Sequence, residues 1–200
     1  MTPSTDSGKL EHVIQRIDAV NSEDPNLETA ADGPRPKELL YGQRMSAWLD
    51  RLAPDAPDTL RIAARGQHIR RWTIPRDEYP EGKQGYHAWR KALAAFHAET
   101  LGAIMADAGY GQEQIARTQA LVRKENLRAD PETQLLEDVI CLVFLQYYFA
   151  DFAGKHPEQK LITILRKTWR KMSPRGHETA KTLLPALSAE HRALVEKALG

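Results

Sequence analysis

Apolar positions recur at helical spacing along most of the chain. Leu10, Val13, Ile14 and Ile17 form an i, i+3, i+4, i+7 stripe that stops at the turn-rich stretch 21–26. A linker rich in Ala, Asp, Gly and Pro follows over 28–36. The next helix is predicted over 37–52, with Leu40, Met45, Trp48, Leu49 and Leu52 as its apolar set. Asp58, an N-cap candidate, opens a helix to about residue 72. Pro75, Pro80, Gly82 and Gly85 make 73–85 the longest irregular piece. Helices are then predicted over 86–107, 112–125, 132–153 (with Pro131 suited to the first turn), 157–172, 174–184 and 188–199. No period-2 strand and no 20–50-residue repeat is visible. The pattern predicts an all-α fold: a single-domain helical bundle of about eight helices spanning residues 1–200.

Composition narrows the class without naming a function. The chain has 200 residues, 28 Lys+Arg against 27 Asp+Glu, and a net charge of +1, which argues against a nucleic-acid binder held by a broad basic field. A single cysteine, Cys141, excludes an internal disulfide framework and a Cys-rich zinc site. The longest apolar run, 139–149, contains Gln146 and falls short of the about 18 residues a membrane span needs. Residues 1–7 lack the basic start and apolar run of a secretory signal. The expectation is a cytoplasmic protein with no membrane partner.

Several residues break the helical pattern in ways that suggest chemistry. Asp138 shares a helix face with Leu135, Cys141, Leu142 and Leu145, and a carboxylate on such a face needs a partner or a cation. A structural ion pair with an Arg satisfies that need as well as a metal or catalytic role does. His97 lies on the face of Leu93, Leu101 and Ile104, where a hydrogen-bonded core histidine is the plain alternative to a ligand. His68 follows the small residues Ala63, Ala64 and Gly66, and a glycine inside a helix suggests close packing or a ligand. Two histidines and an aspartate on three helices have the ligand types of a divalent-cation site.

The positive charge is segregated. Arg65, Arg70, Arg71, Arg76, Lys83, Arg90 and Lys91 surround His68 and the irregular stretch, interleaved with Trp72, Tyr79, Tyr86 and Trp89; a second group runs from Arg166 to Lys181. Solvated helix faces explain many of these. An Arg- and aromatic-rich stretch also suits a phosphate or nucleotide, because guanidinium forks bind phosphate and rings stack on bases. No Walker loop, dinucleotide-binding glycine motif or Gly-x-Ser-x-Gly elbow is present.

The order of these features resembles the HD superfamily of metal-dependent phosphohydrolases over about residues 37–152. The stretches that carry the likeness are Tyr41-Gly-Gln-Arg-Met45, Ala63-Ala-Arg-Gly-Gln-His-Ile69, His97-Ala-Glu with Gly109-Tyr-Gly-Gln-Glu-Gln-Ile115, and Leu136-Glu-Asp-Val139. Tyr41 or Gln43 stands where that family has its first His, and its His-Asp dyad reads Gln67-His68 here. Longer strings look like a family filed as domain of unknown function forty-two-zero-two, covering nearly the whole chain. They are Pro36-Lys-Glu-Leu-Leu-Tyr-Gly-Gln-Arg-Met45, Gln67-His-Ile-Arg-Arg-Trp-Thr-Ile-Pro-Arg76, Leu136-Glu-Asp-Val-Ile-Cys-Leu-Val-Phe144 and Lys167-Thr-Trp-Arg-Lys-Met-Ser173.

The HD resemblance implies an HD-like core over 37–152 with a C-terminal helical extension over 157–199. It implies a metal-dependent phosphohydrolase acting on a nucleotide or phosphorylated small molecule. His68, His97 and Asp138 would hold a divalent ion (Mn, Co, Fe, Mg or Zn), with Glu137, Asp138 and His68 catalytic. Arg65, Arg70, Arg71, Trp72, Arg76 and Tyr86 would bind the substrate. The departures from the family pattern motivate the alternative, a catalytically diverged, metal-free binding module for an anionic ligand or RNA.

Overall fold

The computed structural model describes residues 5–30 and 32–199, so residues 1–4 of the stretch read for a secretory signal lie outside the described residues. The fold is all-α: ten α-helices are found among the described residues, with one small two-stranded sheet. The helices group into two compact units, residues 1–125 and 126–200.

The first unit contains α1 (Thr5–Asn21), β1 (Leu27–Ala30), β2 (Gly33–Pro36), α2 (Lys37–Leu52), α3 (Asp58–Arg65), α4 (Gly82–Asp107) and α5 (Gln112–Arg123). Its core takes in predicted stripe positions, namely Ile17 from α1, Met45 and Leu49 from α2, Leu93 and Leu101 from α4 and Leu121 from α5, together with Leu60 and Ile62 from α3 and Met105 from α4; all are buried. Each such aliphatic side chain contributes roughly 1.5–3 kcal/mol by leaving water. The longest helix, α4, places Gly85, Trp89, Leu93, His97, Leu101 and Ile104 on its buried face, three or four residues apart.

Five expectations are corrected here. The 28–36 linker is part of an antiparallel hairpin over 27–36, with Leu27 paired to Pro36 and Ala30 to Gly33; its strands have four residues each and no buried position, so no apolar period-2 pattern marks them. The helix predicted over 58–72 ends at Arg65, and short 3-10 turns follow over Arg71–Thr73 and Arg76–Glu78. Gly66 is therefore a C-cap and not a mid-helix residue. Its close packing is real: a Cβ there would lie 2.4 Å from Leu101 Cδ2. Asp58 sits inside the first turn, after the N-cap Pro57, and accepts a hydrogen bond from the Tyr110 hydroxyl at 2.7 Å. Lastly, α4 begins at Gly82, so the stretch between α3 and α4 lies over 66–81 instead of the predicted 73–85.

The second unit contains α6 (Pro131–Val143), α7 (Phe149–Ala153), α8 (Glu158–Lys171), α9 (Pro174–Lys181) and α10 (Ala189–Leu199). Asp130 caps α6 by accepting from the backbone N–H groups of Glu132 and Thr133, with Pro131 in the first turn as predicted. A π-helical segment, Phe144–Tyr148, separates α6 from α7, so the helix predicted over 132–153 is interrupted. Phe149, Ile162, Leu165, Val195 and Ala198 form this unit's cluster, which joins α7, α8 and α10. No helix of the described residues is long and apolar enough to cross a membrane.

Candidate functional site

Three chain segments meet behind Asn21, the last residue of α1. The buried Asn21 side chain accepts from the Arg70 backbone N–H at 3.0 Å and donates to the Glu38 carbonyl at 3.5 Å. That contact fixes Arg70 in the left-handed region, φ 51°, a conformation unusual for a residue with a Cβ. Asp24, also buried, accepts from the Glu38 N–H at 3.0 Å and so caps the start of α2. The result holds the end of α1, the start of α2 and the turn after α3 in fixed relation around His68.

His68 is fully engaged. Its Nδ1–H donates to Glu38 Oε2 at 3.1 Å, and its Nε2 accepts from Arg71 Nη1 at 3.3 Å. The ring stacks on Tyr41 with centroids 3.9 Å apart and planes at 10°. Arg71 also approaches Glu38 through Nε at 3.9 Å and lies over the Trp89 ring at 4.7 Å from its centroid. The Trp89 indole N–H donates to the Ile74 carbonyl at 2.9 Å. Glu38, His68, Arg71 and Trp89 thus form one chain that orients a guanidinium.

Burial sets the protonation of this group. It raises the Glu38 pKa, against the pull of Arg71, Lys37 and His97. Burial lowers His68 well below the usual range, helped by Arg71, Arg90, Lys124 and Lys37, so the ring is neutral. It also lowers Arg71 from its ordinary value, while Glu38 opposes that shift.

His97 of α4 sits beside His68, ring centroids 6.2 Å apart. Its Nδ1 lies 2.7 Å from the Ile69 carbonyl oxygen, which can only accept, so Nδ1 carries the proton and Nε2 the lone pair. No group of the described residues hydrogen-bonds that Nε2, although His97 is only 2 % exposed. Burial and the neighbouring His68 lower its pKa to about 3, so His97 is neutral. Gln67 is buried too, and its Oε1 has no partner among the described residues.

Both histidines and Gln67 line one cavity of about 530 Å³, entirely within the first unit. The same wall carries Arg71, Arg90, Lys91, Arg123 and Lys124, and none of the described lining residues is acidic. Arg90 and Lys91 pair with no carboxylate among the described residues. Leu93, Ala94, Ala95 and Val122 supply an apolar side.

The other residues predicted for the site have different surroundings. Arg65 forms a two-pronged pair with Asp18, with Nε 2.6 Å from Oδ1. Arg76 donates to the carbonyls of Tyr79 and Pro80 and braces the turn before α4. Arg70 is exposed, Trp72 is half-buried, and Tyr86 is exposed against Trp89; none of them lines the cavity. In the second unit, buried Glu137 pairs with Lys171 at 3.3 Å. Asp138 accepts from the Ser173 N–H at 2.8 Å, the Ser173 hydroxyl and the Gln134 amide at 3.2 Å. It tethers the N-cap of α9 through hydrogen bonds, and the Arg pair, one of the alternatives open for it, is not formed among the described residues. Among the described residues no group of three or more His, Cys, Asp and Glu is placed to hold a metal ion.

Glu38, Arg123 and Lys124 escaped the sequence reading. Glu38 shares a helix face with Tyr41, Gly42 and Met45, at i+3, i+4 and i+7, so the argument applied to Asp138 identifies it as well. Arg123 and Lys124 stand at the end of α5, and nothing in their local sequence places them beside His97. Neither the curated proteins nor the solved structures provide a match to the chain. Residues 11–195 match the family described as Domain of unknown function (DUF4202), and the chain belongs to that family.

Proposed function

We propose that the first unit binds a phosphorylated small molecule in the cavity beside His68 and His97, as a binding site that needs no metal. The observation that carries this reading is the cavity's cationic wall, Arg71, Arg90, Lys91, Arg123 and Lys124, with no acidic residue among the described lining. Phosphate oxygens accept several charge-assisted hydrogen bonds at once, and an Arg already held by Glu38, His68 and Trp89 loses little freedom on binding.

Metal-dependent hydrolysis, the activity the HD resemblance implies, finds a poor donor set in these residues. His68 Nε2 already accepts from the Arg71 guanidinium, and a cation there faces repulsion from Arg71 and Arg90. The Asp138 carboxylate is committed to Ser173 and Gln134. One lone pair, on His97 Nε2, is left to offer. The expected result of elemental analysis, and of phosphoester assays with Mn²⁺, Co²⁺ and Mg²⁺, is no bound metal and no metal-dependent turnover.

Calorimetric titration with inorganic phosphate and pyrophosphate tests the binding reading. Arg90→Ala removes a lining charge without touching the Glu38–His68–Arg71 chain, and is expected to weaken binding roughly tenfold, the scale of one charge-assisted hydrogen bond. Asp138→Asn is expected to leave the affinity unchanged. Failure of both anions to bind, or indifference to Arg90→Ala, refutes the reading.

A further inference from the structure

We propose that the ligand of this cavity is a hydroxylated phosphate ester, a sugar or polyol phosphate, one of whose hydroxyls donates to His97 Nε2. The inference rests on the phosphate-binding reading and extends it from the anion to the rest of the ligand. Its basis is a mismatch in the wall. The cations can hold phosphate oxygens, but His97 Nε2 is a buried acceptor with no partner among the described residues. Its character is fixed, because the Ile69 carbonyl at 2.7 Å holds the ring proton on Nδ1. The dianionic phosphoryl group of an ester brings only acceptors and cannot satisfy it. The donor must come from another part of the same molecule.

The remaining surroundings narrow that part to a compact polyhydroxylated skeleton. Gln67 adds a second buried polar group with an unpartnered oxygen on the same wall. The aliphatic lining suits a short carbon chain or sugar ring, and about 530 Å³ is ample for one. No Trp, Tyr or Phe is among the described lining residues to stack a nucleobase, and Tyr41 covers one face of the His68 ring at 3.9 Å. Burial keeps His97 neutral, so it accepts a hydrogen bond from the hydroxyl and does not remove its proton. A site built around such an acceptor discriminates against ligands that leave it unpaired.

The experiment titrates the full chain near pH 7.5 with three probes: inorganic phosphate, n-pentyl phosphate and ribose 5-phosphate. Ribose 5-phosphate is expected to bind at least tenfold tighter than pentyl phosphate, whose dianion carries no donor. His97→Phe is expected to bring it down to the affinity of pentyl phosphate, with a melting curve run alongside to confirm folding. The comparison of probes on the unmodified chain stands even where that variant does not fold. Equal affinity for ribose 5-phosphate and pentyl phosphate overturns the hydroxyl inference and leaves the phosphate reading intact, whereas no binding of any phosphate overturns both. Binding of Mn²⁺ that is lost in His97→Phe assigns the lone pair to a metal and overturns the inference as well.

Discussion

His97 shows how one buried ring couples stability to pH. The folded chain holds its pKa near 3, against about 6.5 for an exposed histidine, so the unfolded chain takes up the proton first. Stability is therefore full above about pH 6.5 and falls as the pH drops from there toward 3, by ~5 kcal/mol in the limit, at ~1.4 kcal/mol per unit of separation. Glu38 acts with the opposite sign at acid pH, because a raised carboxyl pKa favours the protonated folded form as pH falls. Comparing urea midpoints of the parent and His97→Gln between pH 7 and 4 isolates the His97 contribution; the parent is expected to show the steeper loss. Asp138 is the counterpart in the second unit, a buried carboxylate satisfied by Ser173 and Gln134. A Cβ on Gly176 would lie 2.6 Å from Asp138 Oδ1, so Gly176→Ala is expected to cost ~1–3 kcal/mol in a denaturant melt. The helical pattern made His97 and Asp138 legible as inward-facing, and His97 as a ring among aliphatics. It could not tell their partners apart, because a backbone carbonyl and a serine N–H leave no mark in the side-chain pattern.

Elements matter here chiefly through their ends. The helix after Asp58 stops at Arg65, and the residues that follow carry His68, Ile69, Arg70 and Arg71 on turns instead of on a helix face. His68 and Arg71 can then both reach Glu38, and the Ile69 carbonyl can point at His97. Two polar side chains secure this arrangement: Asp24 caps α2, and Asn21 holds the Arg70 N–H. Asn21→Ala leaves a strained turn and the part-buried Arg70 backbone N–H without its partner. The expected cost is ~1–3 kcal/mol in thermal unfolding, together with weakened phosphate binding, because the turn that carries Arg71 loosens. Asp24→Ala removes a cap worth about 1 kcal/mol and is expected to lower stability by that amount, with a smaller effect on binding. A result in which Asn21→Ala unfolds the protein no earlier than Asp24→Ala contradicts this ranking.

The molecule divides into two compact units, and every lining residue of the cavity belongs to residues 1–125. A fragment ending at Glu125 is therefore expected to be helical by circular dichroism and to bind pyrophosphate within about threefold of the full chain, as ~0.6 kcal/mol or less separates them; loss of binding by a folded fragment refutes the assignment of the site to this unit. The basic wall is also a property of the whole, since a chain with net charge +1 concentrates Arg71, Arg90, Lys91, Arg123 and Lys124 at one place. The sequence by itself determined the all-α class, most helix spans, the apolar stripes, and the inward-facing His97 and Asp138. Those follow from periodicity and local propensity, which are written in neighbours three or four positions apart. Only the tertiary structure decided where the 58–72 segment leaves the helix, that Glu38 is the partner of His68, and that Lys124 joins Arg71 on one wall. It also decided that Arg65 and Arg76 serve internal contacts instead. Apart from the local contacts of Arg76, these depend on residues about 30 or more positions apart, such as His68 with Glu38 and Arg65 with Asp18, and such pairings are set by how helices pack, not by the spacing within any one of them.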